Sequence, residues 1–270
     1  MLTVDFDRLG LRRVFGFSSF GLSEVDPVTG ALQIIPGIGF LRRFAKDGFA
    51  ALAVAFAVAG LYVGFGIAPE DFQQGEVYRI IFIHVPAAWM ALFVYTVMAL
   101  ASAVALIFRH PLADVAAKTA APIGAVFCFL SLATGSLWGK PMWGAWWVWD
   151  ARLTSELILF FLYLGYIALT SAIDDTRRSD RAGALIAIVG AINVPIIYFS
   201  VKWWNTLHQG ASVSLTKAPS MAALMLWGML LVALAFWAYS IALVLYRVRT
   251  LILQRESHAT WVHELEEVKP

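Results

Sequence analysis

Six long apolar stretches, separated by short polar segments, dominate the pattern along this chain. They lie at about 48–68, 82–108, 117–138, 153–173, 183–201 and 219–246. Each approaches or exceeds the roughly 20 apolar residues that an α-helix needs to cross a bilayer. None alternates polar and apolar residues, as the strands of a membrane barrel do. The pattern therefore predicts an all-α, polytopic membrane protein built as a bundle of six transmembrane helices.

Composition and charge agree with this prediction and orient it. Of the 270 residues, 60% are hydrophobic and 14% are charged, whereas soluble domains have about 25% charged residues. Of the 20 Lys and Arg residues, 15 fall on the side of the predicted bundle that also holds both termini. By the positive-inside rule that side is cytoplasmic. The net charge of +2 is spread over the loops and does not indicate nucleic-acid binding.

The charge pattern also divides the chain into three parts. We predict a cytoplasmic N-terminal extension at 1–43, a six-helix transmembrane domain at 44–250 and a cytoplasmic tail at 251–270. The single cysteine, Cys128, lies within the third stretch, and the sequence has no C-x-x-C, no C-x-x-C-H and no phosphate-binding loop. Any energy for transport must then come from a partner.

Residues 138–150, WGKPMWGAWWVWD, form a tryptophan segment on the predicted outer side. Gly139, Pro141 and Gly144 predict an irregular loop here rather than a helix. Its five tryptophans, with two more in the third outer loop, favour a broad, flat, apolar ligand over simple anchoring at the membrane interface. These candidate binding residues are Trp138, Trp143, Trp146, Trp147, Trp149, Trp203 and Trp204.

Two histidines flank the tryptophan segment at the same predicted depth. His84 lies at the outer end of the second stretch, just before Pro86, which suits a first helical turn, and His208 lies in the third outer loop. One reading is two axial ligands of a haem iron. The other is ordinary helix-end or headgroup contacts. The other three histidines are expected to be solvated on the cytoplasmic side.

The charged residues near this segment have two readings each. The outer basic residues are either candidate partners of haem propionates or solvated side chains. They are Arg152, Arg79, Lys140, Lys202 and Lys217. Asp150 immediately precedes the predicted fourth helix and can cap it. Capping is compatible with a second role, in which Asp150 contacts the ligand. Glu156 lies one turn inside that helix and is expected to be satisfied by a neighbour.

Three motifs, in this order, resemble a known family. HVPAAWM at 84–90 and WWNTLHQGAS at 203–212 are similar to its histidine motifs, and WGAWWVWDARLTSELILFFLYLGY at 143–166 is similar to its tryptophan-rich WWD signature. Six helices and a compact length point to the haem exporter protein C (CcmC) family of system I cytochrome c maturation. The resemblance covers about residues 45–250.

The resemblance implies a haem-delivery subunit of the bacterial inner membrane, not an enzyme. Haem b would be held on the periplasmic side, with iron ligated by His84 and His208 and with Trp143, Trp146, Trp147, Trp149 and Asp150 at the platform positions. It would pass to a periplasmic haem chaperone (CcmE). The implied partners are the ABC transporter subunits CcmA and CcmB and the small membrane protein CcmD.

Two other functions fit the class of membrane bundle. A quinol-linked b-type haem redox protein usually carries histidine pairs at membrane depth, and no histidine here is predicted in mid-helix. A secondary transporter usually has broken helices and ionisable groups near the midplane, and the predicted spans have almost none.

Overall fold

The structure of the protein is a computed structural model, and the residues that it describes are almost entirely helical. These residues are 36–258 apart from 211 and 214–217, with side chains from residue 45 onward. Apart from one isolated bridge in the loop before the second helix, this part of the chain has no β-structure. The predicted all-α class is confirmed.

Seven α-helices make up the described part of the chain. They are α1 (Pro36–Leu61), α2 (Ile81–Phe108), α3 (Pro111–Trp143), α4 (Ala151–Ala172), α5 (Thr176–Gly190), α6 (Asn193–Trp203) and α7 (Ala223–Arg255). A π-helical turn, Tyr62–Ile67, prolongs α1, and a 3-10 turn, Glu76–Ile80, precedes α2. With α5 and α6 counted together, six segments are long and apolar enough to cross a membrane. The predicted six-span bundle is confirmed.

The chain divides into two units. One is the compact body Arg43–Ile252, which contains nearly all of the helical residues. The other comprises Met1–Arg42 and Leu253–Pro270, and its described part consists of the outermost turns of two helices and a short turn. Most of the predicted N-terminal extension lies outside the described residues, so the division into three parts stays a prediction.

The fifth span, expected over 183–201, runs over Thr176–Trp203 and is interrupted by two residues between α5 and α6. Pro195 accounts for the break, because its nitrogen has no hydrogen for the carbonyl of Ala191 and its ring crowds that carbonyl. The Nδ2 of Asn193 donates a 2.8 Å hydrogen bond to the backbone carbonyl of Ser155 in α4. The break is thus held by a neighbouring helix, as irregular backbone inside a membrane protein must be.

The tryptophan segment is only partly a loop. α3 continues through Gly139 and Pro141 to Trp143, so the irregular chain expected from Trp138 onward is wrong. Pro141 lies in the last turns of the helix, where it removes one backbone hydrogen bond without preventing the helix from continuing. The helix ends at Gly144, whose φ of +77° is the left-handed conformation common at helix ends. Two of the five tryptophans are therefore helical and three are in the loop.

Small residues bring α4 and α5 close to their neighbours. A Cβ built on Gly124 would lie 2.1 Å from Tyr163, and one built on Gly190 would lie 2.1 Å from the hydroxyl of Tyr95. The two tyrosine rings meet edge to face with their centres 4.9 Å apart. The hydroxyl of Tyr163 donates a 2.8 Å hydrogen bond to the carbonyl of Ala91 in α2. Helices in membranes associate through such close packing, which here fixes α4 against α2 and α3.

Polar side chains organise the end of the bundle that carries the tryptophan segment. Asp150 is the N-cap of α4, and its Oδ1 accepts a 2.8 Å hydrogen bond from Leu153 N, which confirms the expected cap. Trp138 donates from Nε1 to Oε1 of Gln74 at 2.9 Å and ties the loop before α2 to α3. Pro86 lies in the second turn of α2 and not in the first, because the helix begins further upstream.

Candidate functional site

His84 lies in the first turn of α2 and is only 7% exposed. Its Nδ1 is 3.0 Å from the carbonyl oxygen of Ser131 and 3.1 Å from the hydroxyl oxygen of Thr134, both in α3. A carbonyl oxygen only accepts hydrogen bonds, so Nδ1 carries the proton and Nε2 keeps a free lone pair. Metal-binding histidines are usually fixed in this way. His84 is therefore prepared to bind a metal through Nε2.

Gly135 allows α3 to lie this close to the imidazole of His84. A Cβ built on Gly135 would be 3.0 Å from Cε1 of the ring and 3.5 Å from Nδ1. The first distance is shorter than the ~3.5–4.0 Å of an ordinary carbon–carbon contact. A side chain at this position would push the ring away from the α3 backbone, so Gly135 helps to set where Nε2 points.

His208 lies in the segment between α6 and α7. Its Nδ1 is 2.9 Å from the carbonyl oxygen of Gln209, so Nε2 is again the nitrogen with a free lone pair. Burial lowers the pKa of His208 below its usual value, and the positive charge of Arg152 is the second cause. A lowered pKa keeps the imidazole uncharged at neutral pH, which is the form that binds metals.

The two imidazoles lie on either side of a short gap. Their ring centres are 6.1 Å apart and their planes are inclined by 35°. An imidazole nitrogen lies about 2 Å from a bound metal and about 1 Å from its own ring centre, so two imidazoles on opposite sides of one ion have centres roughly 6 Å apart. The spacing of His84 and His208 thus fits two axial ligands of a single ion.

The chain supplies too few ligands here for a metal ion held by protein alone. Among the described residues, no group of three or more His, Cys, Asp or Glu side chains could hold one. An ion between the two histidines would need its other ligands from a prosthetic group, as the iron of haem has them from the porphyrin. The donor set therefore fits haem.

Two cavities meet at the histidine pair. The smaller, of about 760 Å³, is bounded mainly by α3 and α4, and the larger, of about 1370 Å³, mainly by α2 and α6. Five residues line both cavities: His84, Trp138, Arg152, His208 and Gln209. A flat ligand between the imidazoles would border both cavities.

The structure separates the candidate tryptophans into two groups. Trp138, Trp143 and Trp147 line the cavities, and the ring of Trp138 meets that of His84 edge to face at 5.6 Å. The other four, Trp146, Trp149, Trp203 and Trp204, are more than half exposed and lie outside the cavity walls. The exposed group is placed to meet lipid or another protein rather than the cavity interior.

The basic candidates differ in what they contact. Arg152 lines both cavities, and its Nη1 donates a 2.7 Å hydrogen bond to the carbonyl of Ile197. Lys202 lines the larger cavity and lies over the ring of Phe199. Arg79 pairs with Glu76 and donates a hydrogen bond to the carbonyl of Gly64. Lys140 donates one to the carbonyl of Gly144. Lys217 lies outside the described residues. Arg152 is the basic residue best placed for a carboxylate ligand.

Several residues of the site were not predicted as ligand contacts. Glu156 lines the smaller cavity, and the thiol of Cys128 contacts its Oε1, whereas its Oε2 has no hydrogen-bond partner among the described residues. Ser131 and Thr134 hold His84 from α3. Their spacing, with Gly135, marks one face of a helix, and this was the signal available in the sequence. Gln209 was detectable only as the neighbour of His208.

Comparison with known proteins gives a consistent result. The family model described as "Heme exporter protein C" matches residues 40–263. A protein of that name from Bradyrhizobium diazoefficiens is 55% identical over 206 residues, 76% of this chain and 78% of its own length. One from Escherichia coli K12 is 49% identical over 218 residues, 79% and 87% of the two chains. A "putative cytochrome c biosynthesis ccmC-like mitochondrial protein" from Marchantia polymorpha is 53% identical over 167 residues, 62% and 69%.

Proposed function

Because the chain belongs to the haem exporter protein C family, we propose that it binds haem between His84 and His208 and delivers it to a haem chaperone in the periplasm. Membership of the family supports a part in haem handling for cytochrome c maturation, as a membrane subunit rather than a catalytic enzyme. One observation carries the ligand assignment: two imidazoles 6.1 Å apart, each with Nδ1 held by a backbone carbonyl.

Each part of the cavity has a task in holding haem b. The haem brings an iron with four porphyrin nitrogens and two open axial positions, which the Nε2 atoms of the two histidines fill. Trp138, Trp143 and Trp147 offer apolar rings to the macrocycle. Arg152 offers N–H groups to a propionate, in the charge-assisted pairing that suits a carboxylate. The uncharged state of His208 leaves its lone pair ready for the iron.

The site is proposed to face the periplasm, with both termini in the cytoplasm. The family and the six spans support a multi-pass bacterial membrane protein. The side is inferred from charge, since the other end of the bundle carries Arg109 after α2 and Arg177, Arg178 and Arg181 in the first turns of α5. Labelling of single cysteines introduced at Trp149 and at Arg177 in whole cells tests this. A membrane-impermeant reagent should label the first and not the second.

The proposed partners follow from the family and from the chain's own lack of an energy source. The family supports a haem-handling complex of the ABC exporter type, and the sequence has no phosphate-binding loop. We propose that ATP is hydrolysed by the transporter subunits CcmA and CcmB, that CcmD completes the complex, and that CcmE receives the haem. Affinity purification of the tagged chain should recover these four proteins, and failure to recover CcmA and CcmB in mild detergent would contradict the complex.

Spectra of histidine variants test the ligand assignment. Wild-type protein purified with haem should show the absorption bands of a six-coordinate b-type haem. His84→Ala and His208→Ala should each lose one axial ligand and change those bands. His110→Ala is the matched control, because His110 is exposed at the start of α3, away from the cavities. Unchanged spectra in both cavity variants would refute the assignment, and rapid reduction of the haem by quinol would favour the redox alternative.

A further inference from the structure

The charged side chains around the histidine pair are divided unevenly between the two cavities. Arg152 lines both of them. Lys202 lines only the larger cavity, and Glu156 lines only the smaller one. Among the described residues that line either cavity, Glu156 is the only acid. The larger cavity is therefore bordered by two cations and no acid, whereas the smaller one is bordered by one cation and one acid.

The polar groups of the larger cavity are concentrated at α6 and the segment that follows it. Tyr198 and Lys202 are four residues apart, so both lie on one face of α6. Arg152 belongs to α4, but the 2.7 Å hydrogen bond from its Nη1 to the carbonyl of Ile197 holds its guanidinium beside α6. Two further polar side chains come from the segment after α6: Gln209 and Ser212. All of these side chains can donate hydrogen bonds, as an anionic group requires.

Lys202 lies in the last turn of α6 and is exposed. Its Nζ lies 5.6 Å from the ring centre of Phe199, and none of the ion pairs among the described side chains involves it. The ammonium has three N–H donors on a long, flexible stem. It can therefore turn from the ring of Phe199 to an anionic group at the mouth of the cavity that it lines.

Charge, rather than apolar surface, distinguishes the two cavities. Both have apolar walls, for example Leu132 and Met142 in the smaller cavity and Val85 and Leu92 in the larger one. A haem has two propionates on one edge and only methyl and vinyl groups on the opposite edge. A carboxylate in the smaller cavity would lie close to the acidic side chain of Glu156, whereas in the larger cavity it meets cations and neutral donors. The charges thus favour the larger cavity for the propionate edge.

We propose that Lys202 and Arg152 bind the two haem propionates in the larger cavity, so that the carboxylate edge of the haem faces α6 and its methyl and vinyl edge lies in the smaller cavity. Two cations then meet two carboxylates in charge-assisted hydrogen bonds. Lys202 makes the site selective for porphyrins with free carboxylates. This inference rests on the proposed function, since it takes haem between the two histidines as its premise.

Binding of two porphyrins to a charge series at Lys202 tests the proposal. The probes are ferric haem and its dimethyl ester, which lacks both free carboxylates. Lys202→Met should bind haem about three- to fivefold more weakly than wild type, the loss expected for an exposed ion pair. Lys202→Arg keeps the charge and should bind haem within about twofold of wild type, whereas Lys202→Glu should bind it more weakly than Lys202→Met. All three variants should bind the ester as wild type does.

The matched control is the same series at Lys140. This lysine is also exposed and also lies over an aromatic ring, that of Trp146, but it lines neither cavity. Its variants should bind both porphyrins as wild type does. Salt gives a second measurement, because exposed ion pairs are screened. Raising the salt concentration should weaken the binding of haem more than that of the ester, and this difference should be smaller in Lys202→Met.

The outcomes separate this proposal from the proposed function. Equal losses for haem and for the ester would mean that Lys202 only supports the fold, and equal haem affinity across the Lys202 series would mean that the propionates lie elsewhere; either result overturns the proposal. Loss of the six-coordinate spectrum only in the histidine variants upholds the ligand assignment whatever the Lys202 series shows. If the histidine variants keep that spectrum while the Lys202 series follows the expected order, the ligand assignment fails and the propionate contact of Lys202 stands.

Discussion

Replacing Gly135 by alanine should weaken haem binding while it stabilises the helix that carries the change. The new Cβ would lie 3.0 Å from Cε1 of His84, about 0.5 Å short of an ordinary carbon contact. The ring can relieve this contact only by moving away from α3. A movement of that size lengthens the 3.0 Å contact of Nδ1 with the carbonyl of Ser131 to about 3.5 Å, beyond the usual range of a hydrogen bond.

The size of the effect follows from that one hydrogen bond. Its net contribution is about 0.5–1.5 kcal/mol, so haem should bind roughly two- to tenfold more weakly. Glycine inside a helix is less favourable than alanine by roughly 0.5–1 kcal/mol. In the haem-free Gly135→Ala protein that gain offsets the loss of the contact between His84 and Ser131, so it should unfold at nearly the same temperature as wild type. Weaker haem binding at unchanged stability distinguishes a positioning effect from general damage.

The assay is titration of purified haem-free protein with haem, followed by the Soret absorption, together with thermal unfolding of the same samples. Gly48→Ala in α1 is the matched control, because a Cβ there meets nothing within 4 Å. It should share the gain in helix stability and leave haem binding unchanged. Wild-type affinity and spectrum in Gly135→Ala would refute the reasoning, since His84 would then not depend on its approach to α3.

Three further changes give separate tests. Asp150→Ala should lower stability by about 1 kcal/mol through loss of the cap on α4, whereas Asp150→Asn should keep most of it in the same thermal unfolding assay. Gly124→Ala should destabilise the bundle by about 1–3 kcal/mol, because its Cβ would lie 2.1 Å from Tyr163; unchanged unfolding would show that this contact relaxes freely. Trp138→Phe removes the 2.9 Å bond to Gln74, so proteolysis of the loop before α2 should become faster while α3 stays resistant.

The number and class of the helices could be predicted because the bilayer requires long apolar segments with internally paired backbones. The interruption before Asn193 is missed by a reading of hydropathy alone, which does not register the backbone donor that is missing at Pro195. Gly139 and Pro141 were expected to be irregular because both residues disfavour helices locally. They are helical because they prolong α3, which is already long when it reaches them.

The histidine pair shows what a sequence can and cannot fix about a site. Predicted depth was sufficient to place His84 beside His208. The groups that orient the rings could not be found this way, since the carbonyl of Ser131 belongs to a helix face that meets His84 only in the folded chain. Likewise, the free oxygen of Glu156 depends on which side chains fail to reach it. Contacts between distant segments therefore account for most of what remained unpredicted.

The break in the fifth span gives the two imidazoles unequal supports. His84 belongs to α2, a helix of 28 residues, and is fixed from α3. His208 follows α6, which has 11 residues and is separated from α5 by the break, and among the described residues its Nδ1 contacts only the carbonyl of the adjacent Gln209. The slower step of dissociation should then belong to His84 and the faster one to His208. Such a difference in off-rates lets the haem leave in an ordered sequence, with the bond to His208 broken before the bond to His84. One molecule can then hold haem for a long time and still transfer it promptly.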